Sequence, residues 1–204
     1  MLKRKTMKMC KLNTEYCFPT PIWNYELDTG NKSQFDEAIK YCYEVRRNNP
    51  GRVISNVGGW QSNPMQYTDV IDTPLAPFFN EILPLLNELA VEVAIPRALG
   101  FDNIWININK KGNKNKLHYH PNSFFSGVFY LTDKNSKIKF VKNHDVSTWW
   151  QDCVQSKGGT MSTFNEIEYN PQAGNLLLFP AWLQHLVDDQ EYDSERISIA
   201  FNIN

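Results

Sequence analysis

The sequence predicts an α+β chain, mainly β, in which helices precede a β-sandwich or barrel. Three observations carry this reading. Apolar residues recur at helical spacing in two stretches before residue 96. The period then changes to two. Turn-forming residues break the second half into many short strands.

The first helix begins at Ser33, which with Asp36 three residues later forms a capping-box pattern. Phe35, Ala38, Ile39, Cys42 and Val45 give it one apolar stripe, and Asn48, Pro50 and Gly51 end it. Residues 52–70 are rich in Gly, Asn and Ser and read as a long loop. A second helix starts near Thr73 with Pro74 at its first position. It carries Leu75, Phe78, Phe79, Ile82, Leu85, Leu86, Leu89 and Val93, should kink at Pro84, and ends by Pro96. Strands are expected at 103–109, 126–131, 137–141, 174–179 and 197–203. The NKKGNKNK stretch at 109–116 reads as a flexible polar loop. The chain is expected to be one domain over 1–204, with a helical preface and loop at 1–96 and the β core at 97–204.

Bulk properties narrow the function. The 204 residues carry a net charge of −1, with no strongly basic or acidic half, so an electrostatic grip on nucleic acid or membrane is not indicated. No apolar run approaches the ~20 residues that span a bilayer. The four cysteines, Cys10, Cys17, Cys42 and Cys153, are scattered and suggest neither a zinc ribbon nor a disulfide framework. The basic start, MLKRKTMKMCK, lacks the apolar stretch of a signal peptide. Reduced thiols in a cytoplasm are expected, the host cytoplasm if a phage encodes the chain.

The candidate chemistry centres on histidine. His118 and His120 lie two apart, so in an extended strand both imidazoles aim at one face, with Tyr119 turned away. Two surface histidines would give the same pattern. GNLLLFPAWLQH, residues 174–185, then runs a buried strand through a Pro turn into His185, far enough along for a barrel to bring it back to His118. In ERISIAFNIN, residues 195–204, Arg196 and Ser198 share one strand face while Ile197, Ile199 and Phe201 share the other. A planar guanidinium beside a hydroxyl grips a carboxylate well, although a surface ion pair would also use Arg196. His144 reads as a solvated loop residue, and of the adjacent Trp149 and Trp150 one is expected to be exposed.

The ordered set resembles the 2-oxoglutarate- and Fe(II)-dependent oxygenase superfamily. It comprises H-x-H at 118–120, G-x-L-x-x-F-P ahead of His185, and R-x-S at 196–198. FPTPIW at 18–23, GGWQS at 58–62, W-x-N before His118 and HPxSxxSG at 120–127 are similar to its less characterised bacterial and phage branch. The resemblance implies a double-stranded β-helix (a jelly roll, cupin-like) with the N-terminal helices packed on it. It implies Fe(II), 2-oxoglutarate and O₂, and decarboxylation of the oxoacid to succinate coupled to hydroxylation of a substrate.

Carried over residue by residue, the metal ligands are His118, His120 and His185. The usual carboxylate ligand is replaced by His120, which leaves the site one unit more positive. Arg196 and Ser198 would hold the distal carboxylate of 2-oxoglutarate, with Asn107 and Tyr130 as further contacts. Trp60 and Gln61, in a loop over the barrel, and Ser123 and Ser126, after the histidines, are candidate substrate contacts. The substrate is expected to be a small molecule or a peptidyl side chain, and a homodimer through the N-terminal helices fits the pattern. Two rivals stay open: a cupin-like three-histidine metal enzyme that uses no oxoacid, and a non-enzymatic jelly-roll binding or virion protein.

Overall fold

A computed structural model describes residues 19–28, 31–133, 136–142 and 166–204. Phe18, His144, Trp149, Trp150, Cys10, Cys17 and Cys153 lie outside them. The elements run β1 (Trp23–Glu26), α1 (Lys32–Asn48), β2 (Asn56–Val57), β3 (Trp60–Gln61), α2 (Ala76–Glu92), β4 (Phe101–Asn109), β5 (Lys114–His118), β6 (Phe125–Tyr130), β7 (Ile138–Val141), β8 (Glu166–Tyr169), β9 (Asn175–Pro180), β10 (His185–Val187) and β11 (Arg196–Ile203). A 3₁₀ turn at Tyr67–Asp69 precedes α2.

The strands form two antiparallel sheets. One has the order β1-β9-β6-β11-β4-β3, the other β2-β5-β10-β7-β8. From β4 onward, successive strands alternate between the sheets except that β7 and β8 share one, and each sheet receives four of the last eight. This is the double-stranded β-helix. The fold brings residues far apart in sequence side by side: His185 pairs directly with His118, and Arg196 pairs with Asn109.

Both helices cover the outer face of the six-stranded sheet. The α1 stripe of Phe35, Ala38 and Cys42 and the α2 stripe of Phe78, Phe79, Ile82, Leu86 and Leu89 join Ile104, Ile106, Ile108, Phe129, Ile197, Ile199 and Phe201 in one buried cluster. Aromatic rings lock it, with Phe79 edge-on to Phe129 at 5.6 Å and to Phe101 at 5.0 Å. Gly127 is required here, because a Cβ at this position would overlap the Phe201 ring and Leu178. The apolar stripes of both helices are therefore spent on the sheet. Among the described residues, no helix is long and apolar enough to cross a membrane.

Several boundaries differ from expectation. Asn31, not Ser33, caps α1, its side chain accepting from the Gln34 amide at 3.4 Å. The second helix starts at Ala76, after Thr73 accepts from the Leu75 amide through its hydroxyl, and it continues through Pro84. The supposed loop at 52–70 contains β2 and β3, which extend one edge of each sheet. The NKKGNKNK stretch is a tight turn around Gly112, at φ +77°, that runs straight into β5. Asn109 and Asn115 within it are buried, so it is not a free loop.

Candidate metal centre and cosubstrate cavity

On β4 and β11 the face turned toward the second sheet is polar, whereas β6 and β9 add Val128, Leu177 and Phe179 to an apolar cluster with Phe140 of the facing sheet. The register stacks Arg196 beside Asn109, Ser198 beside Asn107 and Tyr130, Ala200 beside Trp105 and Val128, and Asn202 beside Asn103 and Ser126. These rows, with the histidines of the facing sheet, line a cavity of about 340 Å³. That volume falls at the small end of the range usual for ligand sites.

Three imidazoles converge in it. Ligand-capable nitrogens of His118, His120 and His185 lie within 4.8 Å of one another. His120 Nε2 stands 3.3 Å from His185 Nε2, and the His118 and His185 rings are 4.3 Å apart. His118 closes β5 and His185 opens β10. His120 lies two residues beyond the strand, where its backbone amide donates to the Ala181 carbonyl at 2.8 Å. Strand alternation and this bond together bring H-x-H onto one side.

Two of the rings are held in one tautomer. His118 Nδ1 donates to the Lys116 carbonyl at 2.7 Å and His185 Nδ1 to the Leu183 carbonyl at 2.9 Å. A carbonyl only accepts, so Nε2 of each carries the free lone pair, as a metal ligand requires. Burial lowers the pKa of all three. His120 is pushed down to about 3, by burial and then by its neighbour His118. His118 is lowered by burial against a partly opposing bond to Lys116, and His185 is lowered well below the ordinary imidazole value by burial and then by both partners. The cluster is therefore neutral at ordinary pH, with lone pairs available to a divalent ion. Three neutral imidazoles suit iron, and equally zinc, copper or nickel.

Two rows along the same sheet from the Ala200 level lies Arg196, only 3% exposed. Its guanidinium carbon sits 5.2 Å from the Tyr130 ring centre. Arg196 Nε, Ser198 Oγ and Tyr130 Oη are all buried with no hydrogen-bond partner. An orphaned buried polar group costs about 1–3 kcal/mol, and three around one guanidinium form a cradle for an anionic, multiply accepting group. A carboxylate fits it. Burial raises the Tyr130 pKa while Arg196 opposes the rise, so the phenol stays protonated and can donate.

The residues singled out from sequence divide as follows. His118, His120, His185, Arg196, Ser198 and Asn107 line the cavity, with Tyr130 against Arg196. Gln61, on β3, also lines it. Trp60 does not: its indole donates to the Asn49 carbonyl at 3.1 Å and packs against Gly51, so it anchors the loop rather than meeting substrate. Ser123 lies outside the lining as well. Ser126 is buried and donates to Asn202 at 2.8 Å, reaching the cavity only through that amide. Asn115 and Ser55 were missed. Asn109 donates to Asn115 at 3.4 Å, Asn115 donates to Ser55 at 3.1 Å, and Ser55 Oγ stands 3.5 Å from His118 Nε2, which ties the two ends of the cavity together. Their only signal was polarity inside a stretch that looks like loop.

A jelly roll with three inward imidazoles and a buried arginine defines the class of non-haem metal oxygenases and their cupin-like relatives. A family model described as "Putative 2OG-Fe(II) oxygenase" matches residues 103–202, from β4 to the end of β11. Over these residues the chain is similar to the 2-oxoglutarate/Fe(II)-dependent oxygenases, enzymes that take Fe(II), 2-oxoglutarate and O₂. No curated protein sequence matches it.

Solved structures agree in fold. A prolyl-4-hydroxylase from Pseudomonas putida has a TM-score of 0.61 at 12% identity, over 90% of this chain and 92% of its own. The viral collagen prolyl hydroxylase of Paramecium Bursaria Chlorella virus-1, solved with 2-oxoglutarate, has a TM-score of 0.57 at 12% identity, over 89% and 94%. The α-ketoglutarate-dependent epimerase SnoN of nogalamycin biosynthesis has a TM-score of 0.63 at 12% identity, over 90% and 78%.

Proposed function

We propose that this oxygenase hydroxylates its substrate, with His118, His120 and His185 as the iron ligands and Arg196 as the anchor of 2-oxoglutarate. The observation that carries the second assignment is the trio of orphaned polar atoms, Arg196 Nε, Ser198 Oγ and Tyr130 Oη. The oxoacid's distal carboxylate would accept from all three, and Asn107, beside Ser198 on β4, would border it. His118, His120 and His185, which line the same cavity, would then hold the metal that the keto-acid end binds.

When bound, Fe(II) supplies the redox chemistry that joins oxoacid decarboxylation to substrate oxidation. The chain's part is orientation and exclusion of water. Carbonyls fix the His118 and His185 tautomers, while Phe179 and Phe140, with ring centres 4.8 and 5.9 Å from His185, keep that side dry. His120, with its ring 5.6 Å from Trp105, borders the space left for substrate.

The test is spectroscopic. Fe(II) and then 2-oxoglutarate are added anaerobically, and the weak visible charge-transfer band of a chelated oxoacid is followed. The band is expected to form, to vanish in His118→Ala and His185→Ala, and to need far more 2-oxoglutarate in Arg196→Ala. Iron binding without any band would overturn the oxoacid assignment. An oxoacid-independent metal enzyme would take its place.

A further inference from the structure

The cavity has a second arginine. Arg52 lines it, from the segment between α1 and β2. Among the described residues it has no acidic partner, although Arg46, Lys110, Lys111, Lys114, Lys137 and Lys139 all have one. Among the described residues, the same cavity is lined by no Asp or Glu.

Arg52 is not on a loose strap. Its amide donates to the Gln61 carbonyl at 2.9 Å, and its carbonyl accepts from Asn56 Nδ2 at 3.2 Å. Asn56 Nδ2 also donates to the Gly59 carbonyl at 2.7 Å, and its Oδ1 accepts from the Ile54 amide at 2.8 Å. Asn49 Oδ1 accepts from the Gly51 amide at 2.8 Å, where the backbone is left-handed at φ +76°. The Trp60 indole closes the loop from below. A backbone held at this many points fixes the Cα from which the Arg52 side chain reaches the cavity, so the ordering cost of binding through it is confined to that side chain.

Charge then decides what Arg52 is for. A divalent ion held by neutral imidazoles keeps both its positive charges, and Arg196 and Arg52 add one each. The dianionic oxoacid cancels two. Two remain, one of them on Arg52 at the exposed end of the cavity. A neutral substrate would leave them uncompensated.

We infer that the substrate bears an anionic oxygen group, a carboxylate or a phosphate, which Arg52 binds at the exposed end of this cavity. The opposite wall suits the rest of such a molecule. Asn202 donates to Asn103 at 3.0 Å and accepts from Ser126, so both amides are fixed in orientation. Both also line the cavity, where they offer a polar edge to a substrate anchored at Arg52.

This inference rests on the assignment of Arg196 to 2-oxoglutarate, and its test separates the two. Acetate, inorganic phosphate and neutral acetamide are titrated into the anaerobic protein with Fe(II) and saturating 2-oxoglutarate, followed by tryptophan fluorescence, since Trp105 lines the cavity. Acetate or phosphate is expected to saturate, with half-saturation raised at least ~10-fold in Arg52→Gln (about 1.4 kcal/mol) and largely restored in Arg52→Lys. Acetamide is expected not to saturate. The half-saturation for 2-oxoglutarate, read from the charge-transfer band, should be the same in Arg52→Gln as in the parent. Saturation by phosphate alone assigns a phosphorylated substrate, and by acetate alone a carboxylic acid. If the band forms but neither anion saturates, or saturation ignores Arg52, this inference fails and the oxoacid reading stands. If no band forms while Arg52-dependent saturation persists, the oxoacid reading fails and the anion site stands.

Discussion

The two faces of β11 do opposite work. Ile197, Ile199, Phe201 and Ile203 point under the helices, each no more than 1% exposed. Arg196, Ser198, Ala200 and Asn202 point between the sheets. In an ordinary sandwich the face between the sheets is the apolar one. Here the apolar face is outside, sealed by α1 and α2, and the polar face is inside. The helices seal the larger apolar core on the outer face, while a smaller cluster of Val128, Ile138, Phe140, Leu177, Phe179, Leu183 and Val187 shares the space between the sheets with the polar cavity. The difference teaches where to look: a buried polar strand face with orphaned donors is a ligand wall.

The contrast is broken most severely at the histidines. His185→Ala should abolish metal binding, measured by iron content after desalting, while the far-ultraviolet circular dichroism of the protein is kept. On the outer face, Phe201→Ala removes a ring that touches Phe79 and Phe101 and should destabilise by about 3–5 kcal/mol. Chemical denaturation reads that loss, and the iron stoichiometry of the remaining folded protein should be unchanged.

A smaller effect comes with pH. The folded-state pKa values of His118, His120 and His185 lie below their unfolded values. Below about pH 6.5 the unfolded chain takes protons that the folded one refuses, so the metal-free protein should lose stability as pH falls through that point toward His120's value of about 3. Thermal melts from pH 7.5 down to 4.5 would follow this. His120→Asn should flatten the slope, whereas an unchanged slope would mean these groups are not the ones titrating. The mildest change is expected at Trp60→Phe, which loses one bond to Asn49 (about 1 kcal/mol). It should lower the melting temperature slightly and leave metal and oxoacid binding alone.

Sequence reading succeeded where one residue type carried the pattern. The alternation of β4 and β11 is visible because Ile and Phe fill one face, and the helices because their stripes are long. In the second sheet it found only β7, the strand expected at 137–141. β5, β8 and β10 are short, and their outward residues are Lys, Glu and Leu facing solvent, so no apolar period marks them. That is why NKKGNKNK read as loop although Asn115 is buried. At the site, His118, His185 and Arg196 were legible through spacing. Arg52 and Ser55 were not, because only the pairing of β2 with β5 and of β3 with β4 brings their loop to the cavity. Trp60 could be read as a substrate contact or as a plug on the barrel rim because its loop looks like a lid; its indole anchors that loop on the Asn49 carbonyl.

The central claim is that adjacent residues of β11 serve binding and folding separately. The direct test compares Arg196→Ala with Ile197→Ala, measuring for each the 2-oxoglutarate affinity of the iron-loaded folded protein and the melting temperature of the metal-free protein. Arg196→Ala should weaken 2-oxoglutarate by ~100-fold, the loss of a charge-assisted carboxylate contact of about 2–3 kcal/mol, with the melting temperature held or raised. Ile197→Ala should lower the melting temperature and leave the affinity within about two-fold, the usual independence of separated effects. An Arg196→Ala protein that melts early yet binds 2-oxoglutarate normally would contradict the account.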